Sequence, residues 1–151
     1  SKTAAGNRLD LTTYYRSIMP VQFGLSLSYQ TAVLEDITGT YTWNNLFFGP
    51  MVKWAFYHKR KVEWNLQAGF QQSIFFDLRD STSYYALSSN SFQLEMQRIK
   101  QAKWGKWFLG ASYRRLNPHV KSTDTDVVVD SDRGLIESYA LSIGYRLDWE
   151  L

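Results

Sequence analysis

The residues of this 151-residue chain that could carry chemistry are few in kind. Two histidines, His58 and His119, stand far apart and cysteine is absent, so no disulfide can form and no transition-metal site or cofactor is expected. Asp124, Asp126, Asp130 and Asp132 surround Val127, Val128 and Val129. Clustered carboxylates can hold calcium, but the spacing and the glycine of an EF-hand loop are missing, so a solvated surface loop is the expectation there. The run His58-Lys59-Arg60-Lys61 could meet anionic lipid or a partner, the plainer reading being a solvated turn. Arg114, Arg115, His119 and Lys121 could grip phosphates by charge-assisted hydrogen bonds. Seventeen Lys and Arg against 14 Asp and Glu give only +3, scattered along the chain, so nucleic acid is not an expected partner. Neither common nucleotide-binding glycine pattern is present.

These residues must be positioned by strands. Alternation of period two runs through 62 to 79, where Val62, Trp64, Leu66, Ala68, Phe70, Ile74, Phe76 and Leu78 interleave with a polar set, broken at Gln72 and Phe75. It recurs at the C-terminus, with Tyr139, Leu141, Ile143, Tyr145, Leu147 and Trp149 on one face. The same reading places strands at about 9 to 19, 21 to 34, 43 to 57, 91 to 100 and 106 to 116. Seven strands are visible in a single domain spanning 1 to 151. Their connections alternate between short ones, at Met19-Pro20, His58 to Lys61 and Gln101 to Gly105, and longer ones, at Glu35 to Thr42, Asp80 to Asn90 and Asn117 to Gly134.

Composition and patterning together set the class. Aromatic residues make up 17% of the chain, yet mean hydropathy is −0.35, which requires the apolar residues to share one face of something regular. No window reaches the roughly 18 to 20 apolar residues of a spanning helix, and Ser1 to Gly6 lacks a signal-peptide layout. The chain is therefore read as soluble, as a processed export product, or as a membrane protein built from strands. The face carrying Gly24, Ser26, Ser28, Gly69, Ser73, Gly110, Ser112, Ser142 and Gly144 is small, as the filled interior of a narrow barrel must be. Charges such as Glu63, Asp77, Arg79, Arg114, Arg146 and Asp148 could pair across it, and pairing of this kind is the preferred reading of Arg114. The other face is large and aromatic, which suits lipid. The expectation is an all-β, antiparallel up-and-down transmembrane barrel of the bacterial outer membrane, with eight strands where seven are visible. The eighth is expected upstream of Ser1, or from Ser81 to Leu87 or Asp124 to Val129, or from a partner's strand at the seam.

The segment order from about residue 9 onward resembles strands two to eight of the outer-membrane lipid A 3-O-deacylase family. The resemblance lies in Phe48-Gly49-Pro50, Gln67-Ala68-Gly69 and Ile136-Glu137-Ser138-Tyr139-Ala140-Leu141. It implies a lipid-facing Ser, His and Glu, and Glu137 falls at the place of that Glu. The Ser and His should lie two apart on the outward face of the preceding strand, where this chain has Tyr113, Arg115 and Asn117. His119 and Ser122 follow, three apart. The resemblance thus implies the architecture more than the esterase activity, and the expected role is a noncatalytic structural or accessory component of an outer-membrane assembly. Its expected partners are outer-membrane lipid and lipopolysaccharide, with other outer-membrane proteins as further candidates, these reached through Asp124, Asp126, Val127, Val128, Val129, Asp130 and Asp132. A lipid A esterase using Glu137, His119 and Ser122, and a soluble ligand-binding barrel, are the alternatives.

Overall fold

In the computed structural model, residues 4–15, 20–36, 39–79, 84–123 and 136–146 are described, and they form strands and turns throughout. The strands are β1 (Ala4–Tyr14), β2 (Val21–Asp36), β3 (Gly39–Lys59), β4 (Val62–Arg79), β5 (Tyr84–Ala102), β6 (Gly105–Thr123) and β7 (Ile136–Arg146). They pair in sequence order, each antiparallel to the next, in one seven-stranded sheet. Among the described residues β1 pairs only with β2, and β7 only with β6.

The sheet curls strongly. Following ladder partners from Tyr14 leads through Gly24, Met51, Gly69, Gln93 and Arg114 to Ser138. Yet the residue of β7 whose charge reaches the Tyr14 phenol is Arg146, eight positions further along (146 − 138). A stagger of this size is what tilted strands produce when a sheet winds around an axis. Winding brings β1 within side-chain reach of β4, β5 and β6, as described below.

Strand formation follows from the alternation, modified by register shifts, two of which change which residues face outward. The expected face assignment fails at the end of β4. A register shift between Gln72 and Phe76 leaves Ile74 and Phe75 exposed and turns Phe76 inward, where it is buried. An extra residue in one strand reverses the parity of everything beyond it. The result is an apolar cluster of Phe47, Phe76 and Leu116 inside the curl, with Trp43, Leu87 and Ile136 packed against it. The second irregularity, between Ala55 and Tyr57, leaves both Phe56 and Tyr57 on the outer face.

Several strands outrun their expected limits. β3 begins at Gly39, β5 at Tyr84 and β6 ends at Thr123, so the connections expected at 35–42 and 80–90 are largely ladder, as is the 117–123 part of the one expected at 117–134. Only two residues separate β2 from β3, which removes one of the three long loops. β1 runs from Ala4 to Tyr14 rather than from 9 to 19, its register fixed by the Ala4–Leu34 and Tyr14–Gly24 pairings. Of Ser81 to Leu87, one suggested source of an eighth strand, Tyr84 to Leu87 belong to β5 and 81–83 lie outside the described residues.

Candidate functional site

The inner face is polar, and its charged residues meet in one network. Arg8 on β1 pairs with Asp10 at 2.8 Å, donates to Ser112 Oγ on β6 at 2.8 Å, and lies 3.6 Å from Glu95 on β5. Arg114 on β6, fully buried, donates to Ser28 Oγ at 2.8 Å and to Gln93 Oε1 at 2.5 Å, with Asp10 at 3.8 Å. The Ser28 hydroxyl in turn donates to Asp10. Glu95 also accepts from Gln93 at 3.1 Å, Gln97 at 2.9 Å and Ser142 on β7 at 2.9 Å. Gly110 makes this meeting possible. A Cβ there would run into Ser142 Oγ and come within 2.7 Å of Glu95 Oε1.

Further toward the turns, Tyr14 donates to Gln67 at 2.6 Å, and Arg146 lies 3.3 Å from Glu63. Both contacts cross from an edge strand to β4. Each described carboxylate of the network faces a guanidinium at ion-pair distance. That arrangement neutralises the charge of the interior. Arg79 and Asp77, 4.0 Å apart, pair at the opposite, more exposed end.

Of the residues expected inside, Glu63, Arg114 and Arg146 are found there, Asp77 and Arg79 lie beyond the parity reversal at Phe76 and pair with each other instead, and Asp148 lies outside the described residues. Arg8, Asp10 and Glu95 were not singled out from the sequence. Their signal is parity: Gln93, Glu95 and Gln97 alternate with Phe92, Leu94 and Met96, and Arg8 and Asp10 flank Leu9.

The outer face carries the large apolar residues, including Phe23, Leu25, Val52, Trp54, Phe70, Phe92, Leu94, Trp107 and Ile143, all exposed. Glu137 is also exposed, in the first turn-distal position of this face on β7. Its carboxylate accepts a hydrogen bond from Tyr113 Oη at 2.9 Å, and the Tyr113 ring leans on Tyr139 with centroids 5.3 Å apart. The cross-strand partner of Glu137 is Arg115. His119 pairs in the ladder with Ser88, and Ser122 with Ala86. Along β6, His119 is four residues beyond Arg115, a backbone separation of roughly 13 Å, and Ser122 roughly 23 Å. The strand therefore does not bring these two to Glu137. The segment Asp124 to Asp132, with Asp126, Val127, Val128, Val129 and Asp130, lies outside the described residues. No group of metal-ligating side chains occurs among those described.

Among the described residues the wall is open between β1 and β7, and a cleft of about 2660 Å³ reaches from there into the curl, lined by both edge strands and by inner-face residues such as Lys53, Gln67, Gln93 and Glu95. Leu9 and Leu11 on β1 are each 73% exposed and Leu141 on β7 is 91% exposed, against 36% for Leu27 on the flanked strand β2. Among the described residues, those of the two edge strands have no neighbouring strand on one side. No family model, curated protein or solved structure matches this chain.

Proposed function

We propose that this chain is the wall of a small barrel in a bacterial outer membrane, a structural or accessory component without catalysis of its own. The observation that carries the reading is inverted polarity. Lys53, Gln67, Gln71, Gln93, Glu95, Gln97 and Arg114 are buried while leucines, phenylalanines and tryptophans are exposed along the same strands. In water this arrangement would leave the apolar area unburied and oppose folding; in a bilayer the outer face is solvated by lipid. A soluble ligand-binding barrel would need the opposite assignment of faces. β1 and β7, at 11 residues each, have the length that a tilted membrane strand needs.

Closure takes one more strand. β1 and β7 run in the same direction, since an even number of antiparallel steps separates them, so a single strand between them would be antiparallel to both. It would alternate large apolar residues outward with small polar ones inward, to satisfy edges that lipid cannot solvate. A closed eight-strand barrel has an interior that side chains fill, so contacts to lipopolysaccharide or other outer-membrane proteins would fall to the ends of the barrel, including the acidic segment Asp124 to Asp132.

The test is refolding from urea into detergent or vesicles. Heat-modifiable migration on gels and quenching of Trp54 and Trp107 by brominated lipid are the expected results. A monodisperse, folded protein in plain buffer would refute the membrane reading. Shortening the connection between Thr123 and Ile136 should leave the barrel folded and remove co-purifying protein.

A further inference from the structure

We infer that the turn end of β3, β4 and β5 carries a binding site for an anionic phospholipid, a proposal that rests on the membrane reading above. The outer face there holds a hollow of about 930 Å³ with an apolar floor of Phe56, Trp64 and Met96 and a cationic rim of Lys59, Arg60 and Arg98. The sheet register explains why these six meet. Tyr57 pairs with Trp64 and Trp64 with Arg98; one step nearer the turn, Lys59 pairs with Val62 and Val62 with Lys100. Moving toward the turn, the outer face thus passes from Leu66 and Met96 to Trp64 and Arg98, then to Val62 and Lys100. Apolar gives way to aromatic, and aromatic to cationic, over two side-chain rows. A phospholipid has the same order, from acyl chain to glycerol to phosphate.

Two local distortions build the hollow. The register shift between Ala55 and Tyr57 puts two consecutive aromatic residues on the outer face, which a regular strand would not do. The turn Arg60-Lys61 holds Arg60 at φ 57°, where Gly or Asn is the usual occupant, so a long cation sits at a position that backbone preference alone would not choose.

Charge selects the occupant. Lys59, Arg60, Lys61, Arg98, Lys100 and Lys103 gather at this end, and Glu63, the one carboxylate near them among the described residues, is turned inward to Arg146. None of these six cations has a carboxylate partner among the described residues. Arg98 stands on the outer face with its guanidinium 5.9 Å from the Trp64 ring centroid. An arginine beside Met96 and Leu109 on a lipid-facing wall is costly unless its fork meets a counter-ion at the interface, and a phosphodiester accepts that fork in a bidentate manner. Its stem can lie along the apolar floor while the charge reaches the headgroup level.

The experiment uses the full chain folded into phosphatidylcholine vesicles with or without phosphatidylglycerol, extracted gently and weighed by native mass spectrometry. Wild type should retain phosphatidylglycerol over phosphatidylcholine, and the preference should fall about fivefold for each rim cation lost, in Arg98→Gln and in Arg60→Gln. Arg98→Lys should fall between, and Arg115→Gln, at the opposite end, should match wild type. Equal retention of the two lipids by wild type would overturn the site, as would an unchanged preference in both Arg98→Gln and Arg60→Gln. If Arg98→Gln does not fold, Lys59→Gln on the same rim reads the same hollow. Wild type that enters neither vesicle and stays folded in buffer would instead overturn the membrane reading, and the site with it.

Discussion

Glu95→Leu tests whether the interior is a packed ionic core or a hydrated channel. The Glu95 carboxylate is 4% exposed and serves Arg8, Gln93, Gln97 and Ser142 at 2.9 to 3.6 Å. Leucine removes the charge and every acceptor at once. Arg8 keeps Asp10 at 2.8 Å, so it is not orphaned, but two amides and a hydroxyl lose their partner and the positive charge of Arg8 and Arg114 is no longer balanced. Breaking a buried pair from one side costs about 3 to 5 kcal/mol, and the retained Asp10 contact places the expectation at the lower end, about 3 kcal/mol. Glu95→Gln keeps an acceptor and should cost about 1 to 2 kcal/mol. The assay is urea unfolding from vesicles followed by tryptophan emission, with Arg8→Met completing a double-mutant cycle in which the coupling to Glu95 should be about 1 to 2 kcal/mol. A loss below about 1 kcal/mol for Glu95→Leu, with no coupling, is the behaviour of a solvent-screened pair. That result would refute the packed interior and reopen the channel reading.

Three other substitutions probe different parts of the wall. Leu141→Arg puts a charge on the outer face of β7 and should cost roughly 2 to 4 kcal/mol in a lipid folding titration, whereas Ser142→Ala on the inner face should cost less than about 1.5 kcal/mol for one lost hydrogen bond to Glu95. Equal effects would mean that the faces are wrongly assigned. Phe76→Ala empties the centre of the Phe47, Phe76, Leu116 cluster and should cost about 3 to 5 kcal/mol; a surface-like loss under about 0.5 kcal/mol would put Phe76 back on the outer face. Arg60→Gly relieves a left-handed residue and should stabilise the barrel by about 0.5 to 1 kcal/mol while weakening phosphatidylglycerol retention, so a gain in both would separate Arg60 from the lipid hollow.

How much of this was legible depends on whether the two faces of a strand meet different media. Through Phe92 to Gln97 and Leu109 to Arg114 one face is apolar and the other small or polar, and the alternation locates strand, register and orientation together. Thr40, Tyr41 and Thr42, or Ser88, Ser89 and Asn90, continue the ladder without alternating, because at that end polar residues occupy both faces. The β-forming side chains of Thr and Tyr were the remaining signal there. The reversal at Phe76 was half visible, as three consecutive large residues, Ile74, Phe75 and Phe76, cannot all share one face of a regular strand. The ionic network was harder to see. Arg8, Asp10, Glu95 and Arg114 lie on three strands and converge only because the sheet curls, and no pairwise spacing in the sequence carries that information.

The open seam follows from the same geometry as the network. Arg8 reaches Ser112 and Glu95, and Ser142 reaches Glu95, so both edge strands are already tied to β5 and β6 across the interior by side chains. Backbone closure between β1 and β7 directly would pair them in parallel, against the antiparallel pattern of every other ladder in the sheet. If the sheet sits in a membrane as proposed, leaving them unpaired would expose two rows of amides to hydrocarbon, each unsatisfied group costing several kcal/mol. One antiparallel strand removes both difficulties. Its inward residues would face the interior beside Gly6, Arg8, Ser142, Gly144 and Arg146, which line that side of the cleft. Its outward residues must be large enough to cover Leu9, Leu11 and Leu141. When such a strand is supplied, amide exchange along β1 and β7 should slow to the rate of β3 and β4; exchange that is already slow in the chain alone would mean that the edges pair by some other means.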